Sequence, residues 1–146
     1  TGKQVILFWP NVDAGSDGTS KAVRVFRESG RAGHFVFVKN LEGHLFLALL
    51  RESLCLIGNS SVGVRESAYL GVPVVNIGNR QKGRERGPNV IDVPWEPGAI
   101  AAAVSTQIAH GRYPSSEMYG NGFAGRKIAE SIVEATPSFS KRFHDG

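Results

Sequence analysis

The sequence predicts an α/β domain built on a doubly wound parallel sheet. Short apolar runs alternate along the chain with stretches in which apolar residues recur at helical spacing. The apolar runs are nearly continuous and do not alternate with polar residues, as expected of parallel strands that are covered on both faces. Strands that alternate with helices in this way favour a single domain with a parallel sheet of five or more strands.

The same patterns predict five strands and five helices. The strands are predicted at residues 5–8, 35–38, 54–57, 74–77 and 90–93. The helices are predicted at residues 18–29, 45–51, 62–70, 99–110 and 124–135, and Gly30 and Gly71 follow two of them as helix-ending residues. We expect residues 1–137 to form the domain and the polar residues 138–146 to form a frayed tail.

Composition indicates a soluble globular protein with a mild positive charge. The 146 residues include 17 Lys plus Arg and 13 Asp plus Glu, so the net charge is +4, which suits an anionic ligand or an ordinary solvated surface. No apolar stretch reaches the length of a membrane span, and no basic helix with interleaved aromatic residues favours nucleic acid. The histidines lack metal-ligand spacing, so we expect no metal and no other cofactor. The lone Cys55 is expected to be a small buried residue, and it favours a reducing, cytoplasmic compartment.

The most informative segment is the serine loop, residues 58–66, which follows a predicted strand and opens a predicted helix. Ligands of such sheets bind beyond the carboxyl ends of the strands. The N–H groups of the first helical turn and the hydroxyls of Ser60 and Ser61 suit a phosphate there. Glu66 follows Gly63 by three residues on the same helical face and can accept hydrogen bonds from a ribose diol. An equally supported alternative is a serine N-cap with a glutamate that interacts with the helix dipole.

Two further segments follow strands. The basic loop, residues 78–87, carries Arg80, Lys82, Arg84 and Arg86, and an arginine fork from it could reach the same phosphates. The alternatives are a mobile solvated loop and a contact with nucleic acid. The segment at residues 9–18 is dense in Asn, Asp and Gly, which by itself favours a turn and a helix cap. The G-x-G-x-x-G match at residues 120–125 has no strand before it and indicates a turn that leads into a helix.

Together these segments resemble the hydrolysing UDP-N-acetylglucosamine 2-epimerases, including the epimerase half of the animal bifunctional epimerase/kinase. The matching pieces occur in family order and span nearly the whole chain, at residues 10–16, 58–66, 71–78, 80–85, 113–116 and 119–122. The resemblance implies a GT-B arrangement, in which two Rossmann-like domains hold the nucleotide between them. This chain resembles the C-terminal one.

The resemblance also implies roles for individual residues. The serines would hold the diphosphate, the glutamate the ribose hydroxyls and the first arginine of the basic loop a phosphate, while a leucine would offer backbone groups to the uracil. The implied UDP-binding residues are Ser60, Ser61, Glu66, Arg80 and Leu41, and the further cleft residues are Asn11, Asp13, Gly63 and Arg84.

The family reaction, by this resemblance, eliminates UDP from UDP-N-acetylglucosamine to give a glycal, to which water adds to release N-acetylmannosamine. Relatives that do not hydrolyse add UDP back instead. The family's catalytic acids and bases lie mainly in the first domain, so no catalytic residue is assigned here. We expect the chain to be a fragment, a truncated gene product or half of a split protein, inactive alone. The surface that would face the missing N-terminal domain favours self-association into a homo-oligomer.

Two other functions are compatible with the same residues. A GT-B glycosyltransferase shares the fold and the sugar-nucleotide site, although residues 11–16 and 80–85 favour the epimerase. A standalone nucleotide-binding or regulatory module is the second alternative, because Arg24 and Arg27, one turn apart on the first predicted helix, resemble in place arginines near a regulatory site of the animal relative. A solvated helical face is the favoured explanation of those two arginines.

Overall fold

The computed structural model describes residues 2–10 and 16–136 of the chain. They fall into two compact units, Thr1–Ser53 and Leu54–Gly146, and each unit is a set of parallel strands with flanking helices. Within the described ranges, no helix is both long and apolar enough to cross a membrane.

The first unit is a β-α-β unit followed by a helix. Its elements are β1 (Val5–Phe8), α1 (Ser16–Glu28), β2 (Phe35–Val38) and α2 (Gly43–Glu52). The two strands pair in parallel, with Val5 opposite Phe35. Edge-to-face ring pairs pack both helices against the strands, with Phe26 of α1 on Phe35 and Phe46 of α2 on Phe8, at centroid distances of 4.8 and 5.3 Å.

The second unit carries most of the buried residues. Its elements are β3 (Leu56–Gly58), a 3-10 turn (Ser61–Gly63), α3 (Glu66–Leu70), β4 (Val74–Ile77), β5 (Val90–Val93), α4 (Pro97–His110) and α5 (Ala124–Glu134). The strands form a parallel sheet in the order β3-β4-β5. All four residues of the central strand β4 are buried; three are apolar, and the fourth, Asn76, donates to the Asp92 carboxylate. The core consists of side chains from β4, β5 and α4: Val75, Ile77, Val93, Ala103 and Val104.

The predicted fold class, a Rossmann-like α/β arrangement of parallel strands and helices, is confirmed. The single sheet of five strands is wrong for the described residues, because the five strands form one sheet of two and one of three. The strand predicted at residues 54–57 begins at Leu56. Its ladder starts where Leu56 donates to the Pro73 carbonyl at 2.8 Å, because Pro73 has no N–H to donate to a residue before Leu56.

The continuous helix predicted at residues 62–70 is also wrong. The chain forms the 3-10 turn first, and α3 then has five residues and begins at Glu66. Gly63 is buried against β4, where an added Cβ would lie 3.0 Å from a methyl carbon of Val74, so a larger residue would require that side chain to shift. Glu66 is therefore the first residue of its helix and does not lie one turn inside it.

Cys55 packs against the core of the second unit, as its apolar surroundings predict. Burial raises the pKa of its thiol from 9.0 to about 11, and a hydrogen bond from the Val75 N–H offsets this only partly. The thiolate is the reactive form, so alkylation at pH 8 should be roughly 100-fold slower in the folded chain than in urea. Iodoacetamide labelling followed by mass spectrometry measures both rates. Equal rates would contradict this account of Cys55.

Candidate functional site

The serine loop and the basic loop begin side by side at the carboxyl end of the three-stranded sheet. Gly58, the last residue of β3, lies opposite Asn76 of β4, and the two strands are parallel. The serine loop leaves β3 at that point, and the basic loop leaves β4 two residues later. The Gln81 side chain joins the loops, since its Nε2 donates to the Asn59 carbonyl at 2.7 Å. Two segments that the sequence singled out separately are thus in contact.

The serine loop combines a backbone turn with accessible hydroxyls. Ser60 caps the 3-10 turn: its Oγ accepts from the Val62 N–H at 3.4 Å and its carbonyl from the Gly63 N–H at 3.1 Å. The side chain of Ser60 is nevertheless exposed, and that of Ser61 is half-buried. A helix of five residues has few aligned peptide dipoles. Any anion bound here would therefore rely on the hydroxyls and turn backbone more than on the helix terminus.

Glu66 carries an unsatisfied acceptor. Its Oε1 lies 3.4 Å from Nη2 of Arg65, but its Oε2 is buried and has no hydrogen-bond partner within the described part of the chain. A buried carboxylate oxygen without a donor is unfavourable, and a hydroxyl group is a donor that would satisfy it. The role of Glu66 as an acceptor for ribose hydroxyls stays a prediction.

The four cations of the basic loop have different surroundings. The Arg86 guanidinium donates to the Gln81 carbonyl and to the carboxylate of Asp92, whose other oxygen accepts from Asn76 Nδ2 at 2.6 Å. Arg86 therefore holds the loop against β5 and has a structural role. The side chains of Arg80, Lys82 and Arg84 are exposed. These three are the cations of the loop that remain accessible to an anionic ligand.

An open groove extends from the start of the basic loop to the end of β5. It is lined by Gly78, Asn79, Asp92, Val93, Pro94 and Trp95. Gly78 has φ +79°, and an added Cβ would lie 2.5 Å from Nε1 of Trp95, so the indole packs directly over the glycine backbone. Sequence reasoning missed this groove and the buried Gln81. The signal in the sequence that could have indicated the groove is Gly78 at the end of one strand and Trp95 after the next. Gln81 was overlooked because it lies between two charged residues.

The remaining predicted residues lie elsewhere. Leu41 is half-buried in the first unit, between β2 and α2. Asn11 and Asp13 fall outside the described residues. The glycine-rich match leads into α5, as its predicted turn requires. In the ranges that the structure describes, no cluster of three or more His, Cys, Asp or Glu side chains could hold a metal ion.

Comparison with known proteins identifies the family to which these loops belong. The sequence model of the UDP-N-acetylglucosamine 2-epimerase family matches residues 2–133. The chain belongs to this family. The matched range contains the serine loop, the basic loop and every element of both units except the last residue of α5. The resemblance that the sequence motifs indicated is therefore confirmed.

Three relatives illustrate how this epimerase-family chain compares with longer proteins. A UDP-N,N'-diacetylbacillosamine 2-epimerase (hydrolyzing) of Legionella pneumophila is 32% identical over 97% of this chain and 36% of its own length. A UDP-N-acetylglucosamine 2-epimerase of Neisseria meningitidis is 27% identical over 99% of this chain and 39% of its own length. Polysialic acid biosynthesis protein P7 of Escherichia coli is 39% identical over 68% of this chain and 25% of its own. The chain thus spans less than two fifths of these relatives.

Proposed function

We propose that the chain is the UDP-binding part of a hydrolysing UDP-N-acetylglucosamine 2-epimerase and forms the C-terminal half of a GT-B arrangement. The observation that carries the proposal is the hydrogen bond from Gln81 to the Asn59 carbonyl. It holds a loop rich in hydroxyl groups beside a loop rich in cations at the carboxyl end of one parallel sheet. That is the end at which sheets of this kind bind nucleotides.

The two loops supply complementary chemistry for a nucleoside diphosphate. Ser60 and Ser61 would donate hydroxyl hydrogen bonds to the diphosphate, and Arg80 and Arg84 would add charge-assisted ones. The Glu66 carboxylate, on a side chain that is 34% exposed, would accept from the ribose diol. Together these contacts account for every part of UDP except the base.

Four further residues complete the proposed cleft. Gly63 keeps the serine loop close to the sheet. Leu41 would present backbone groups to the uracil, and Asn11 and Asp13 would line the sugar side. These three assignments follow from the family resemblance alone.

The proposed reaction is the elimination of UDP across C1–C2 of the sugar, followed by addition of water. It would release N-acetylmannosamine and UDP in the cytoplasm. The hydrolysing type is favoured because the Legionella pneumophila relative carries that description in its name. Abstraction of the C2 proton requires a positioned general base, and none is assigned on this chain. We therefore propose that a further domain supplies the base and that the chain alone binds UDP without turnover. We also propose that the chain associates with further copies of itself in a homo-oligomer.

A product assay tests the proposed reaction. UDP-N-acetylglucosamine is supplied to the 146-residue chain and to the complete gene product that contains it. We expect free UDP and N-acetylmannosamine from the complete product and neither from the chain alone. Transfer of the sugar to an added acceptor would support a glycosyltransferase instead, and UDP-N-acetylmannosamine as product would replace the hydrolysing type by the non-hydrolysing one.

A further inference from the structure

The most buried side chain of the basic loop belongs to an uncharged residue. Gln81 is 3% exposed, although its neighbours Arg80 and Lys82 are both exposed. Its Nε2 donates to the Asn59 carbonyl at 2.7 Å, and its own carbonyl accepts from the Arg86 guanidinium. Gln81 is therefore hydrogen-bonded at both its side chain and its backbone, on the boundary between the two loops.

The orientation of the Gln81 amide is determined by this contact. A flipped amide would place its oxygen against the Asn59 carbonyl oxygen, so the nitrogen must face Asn59. In that orientation the Oε1 of Gln81 is buried without a hydrogen-bond partner among the described residues. An apolar side chain of similar size would avoid the unsatisfied oxygen but could not donate to Asn59. The bond to Asn59 is thus the contact that explains a glutamine at this position.

We propose that Gln81 is a positioning residue that sets the spacing of the serine loop and the basic loop for one diphosphate, an inference that rests on the proposed function. Asn59 directly precedes Ser60, and Arg80 directly precedes Gln81. The hydrogen bond therefore joins the backbone one residue away from the groups assigned to the phosphates on each side. Loops held at the correct spacing before binding lose less conformational freedom when the ligand arrives, which increases affinity.

Two substitutions of Gln81 test the inference. Gln81→Met keeps the length of the side chain but loses the N–H donor, and we expect it to weaken UDP binding about tenfold, as for loss of a buried, well-oriented hydrogen bond. Gln81→Glu is isosteric and can donate to Asn59 only when it is protonated, a form that burial favours. Relative to the unsubstituted chain at each pH, its UDP affinity should be lower at pH 8 and recover at pH 5.

The control variant is Tyr113→Phe. It removes a hydroxyl that donates to Gln107 Oε1 at 2.8 Å, away from both loops. It should lower the thermal midpoint but leave the UDP dissociation constant within about twofold, since no loop contact changes. A double-mutant cycle that combines Gln81→Met with Arg80→Ala adds a second criterion. Gln81→Met should cost less affinity when Arg80 is already absent, because it acts through that arginine.

The outcomes separate this inference from the proposed function. Unchanged UDP affinity in Gln81→Met, with or without a lower thermal midpoint, would overturn the positioning role, and so would a Gln81→Glu variant without recovery at pH 5. If the unsubstituted chain binds no UDP, the proposed function fails. Amide hydrogen exchange of residues 58–63 then decides the inference by itself, since Gln81→Met should accelerate it and equal exchange would overturn the role.

Discussion

Gln107→Leu is expected to lower the free energy of unfolding of the second unit by about 2–4 kcal/mol, the sum for three hydrogen bonds of a buried side chain. The Gln107 side chain is fully buried. Its Nε2 donates to the carbonyls of Val74 and Asn89, both at 2.8 Å, and its Oε1 accepts from Tyr113. The substitution would remove three hydrogen bonds that join α4 to the sheet and to Tyr113, although the Asn89 carbonyl would still accept from the Val74 N–H at 2.8 Å. Such a loss is a large fraction of the whole stability of a small domain.

Urea denaturation followed by circular dichroism measures this effect. The matched control is Thr106→Val on the same helix, where the exposed hydroxyl donates to the Ala102 carbonyl at 3.0 Å. Water can replace that bond, so the control should change stability by less than about 0.5 kcal/mol. A Gln107→Leu midpoint equal to that of the control would contradict the assigned role of Gln107.

Gly71→Ala is expected to cost about 2–5 kcal/mol, from a left-handed backbone and a steric overlap together. Gly71 ends α3 with φ 64° and ψ 24°, a conformation that favours glycine. An added Cβ would lie 2.2 Å from the Tyr113 carbonyl oxygen. The same segment is tied down by the Tyr113 N–H, which donates to the Gly71 carbonyl at 3.0 Å, so it cannot move away freely.

Gly30→Ala separates the two contributions. Gly30 also has a positive φ, +71°, but no atom lies within 4 Å of an added Cβ. Its substitution should cost only the conformational part, about 1–2 kcal/mol. Thermal denaturation of both variants measures the difference. Equal losses at the two positions would show that the contact with Tyr113 contributes nothing.

The sequence predicts the strands well where burial is continuous. β4 matches residues 74–77 because it is buried throughout, and β5 matches residues 90–93 because three of its four residues are Val or Ile. The pairing of the strands is harder to predict from the sequence, since it depends on residues far away in the chain. The start of β3 shows this, because it depends on the missing N–H of Pro73, a residue 17 positions after Leu56 in the chain.

The site is predictable at the level of its loops but not of every side chain. Composition marks residues 78–87 as basic, yet it cannot reveal that Arg86 pairs with Asp92 while Arg80 and Arg84 are exposed. Gln81 is missed because a polar residue between charges has no burial signal in the sequence. The position of Glu66 differs from the prediction because the 3-10 turn at Ser61–Gly63 comes first and α3 begins only at Glu66, which helical periodicity does not reveal.

Calorimetric titration of UDP into the chain and three variants tests the central claim most directly. The unsubstituted chain should bind with a dissociation constant on the order of micromolar to millimolar, since half a cleft supplies half the contacts. Glu66→Ala and Arg80→Ala should each weaken binding about tenfold or more, as for charge-assisted hydrogen bonds. Arg126→Ala, an exposed arginine paired with Glu130 on α5, should not change it. Equal binding by all four proteins, or none by the unsubstituted chain, would contradict the assignment of a UDP site to these loops.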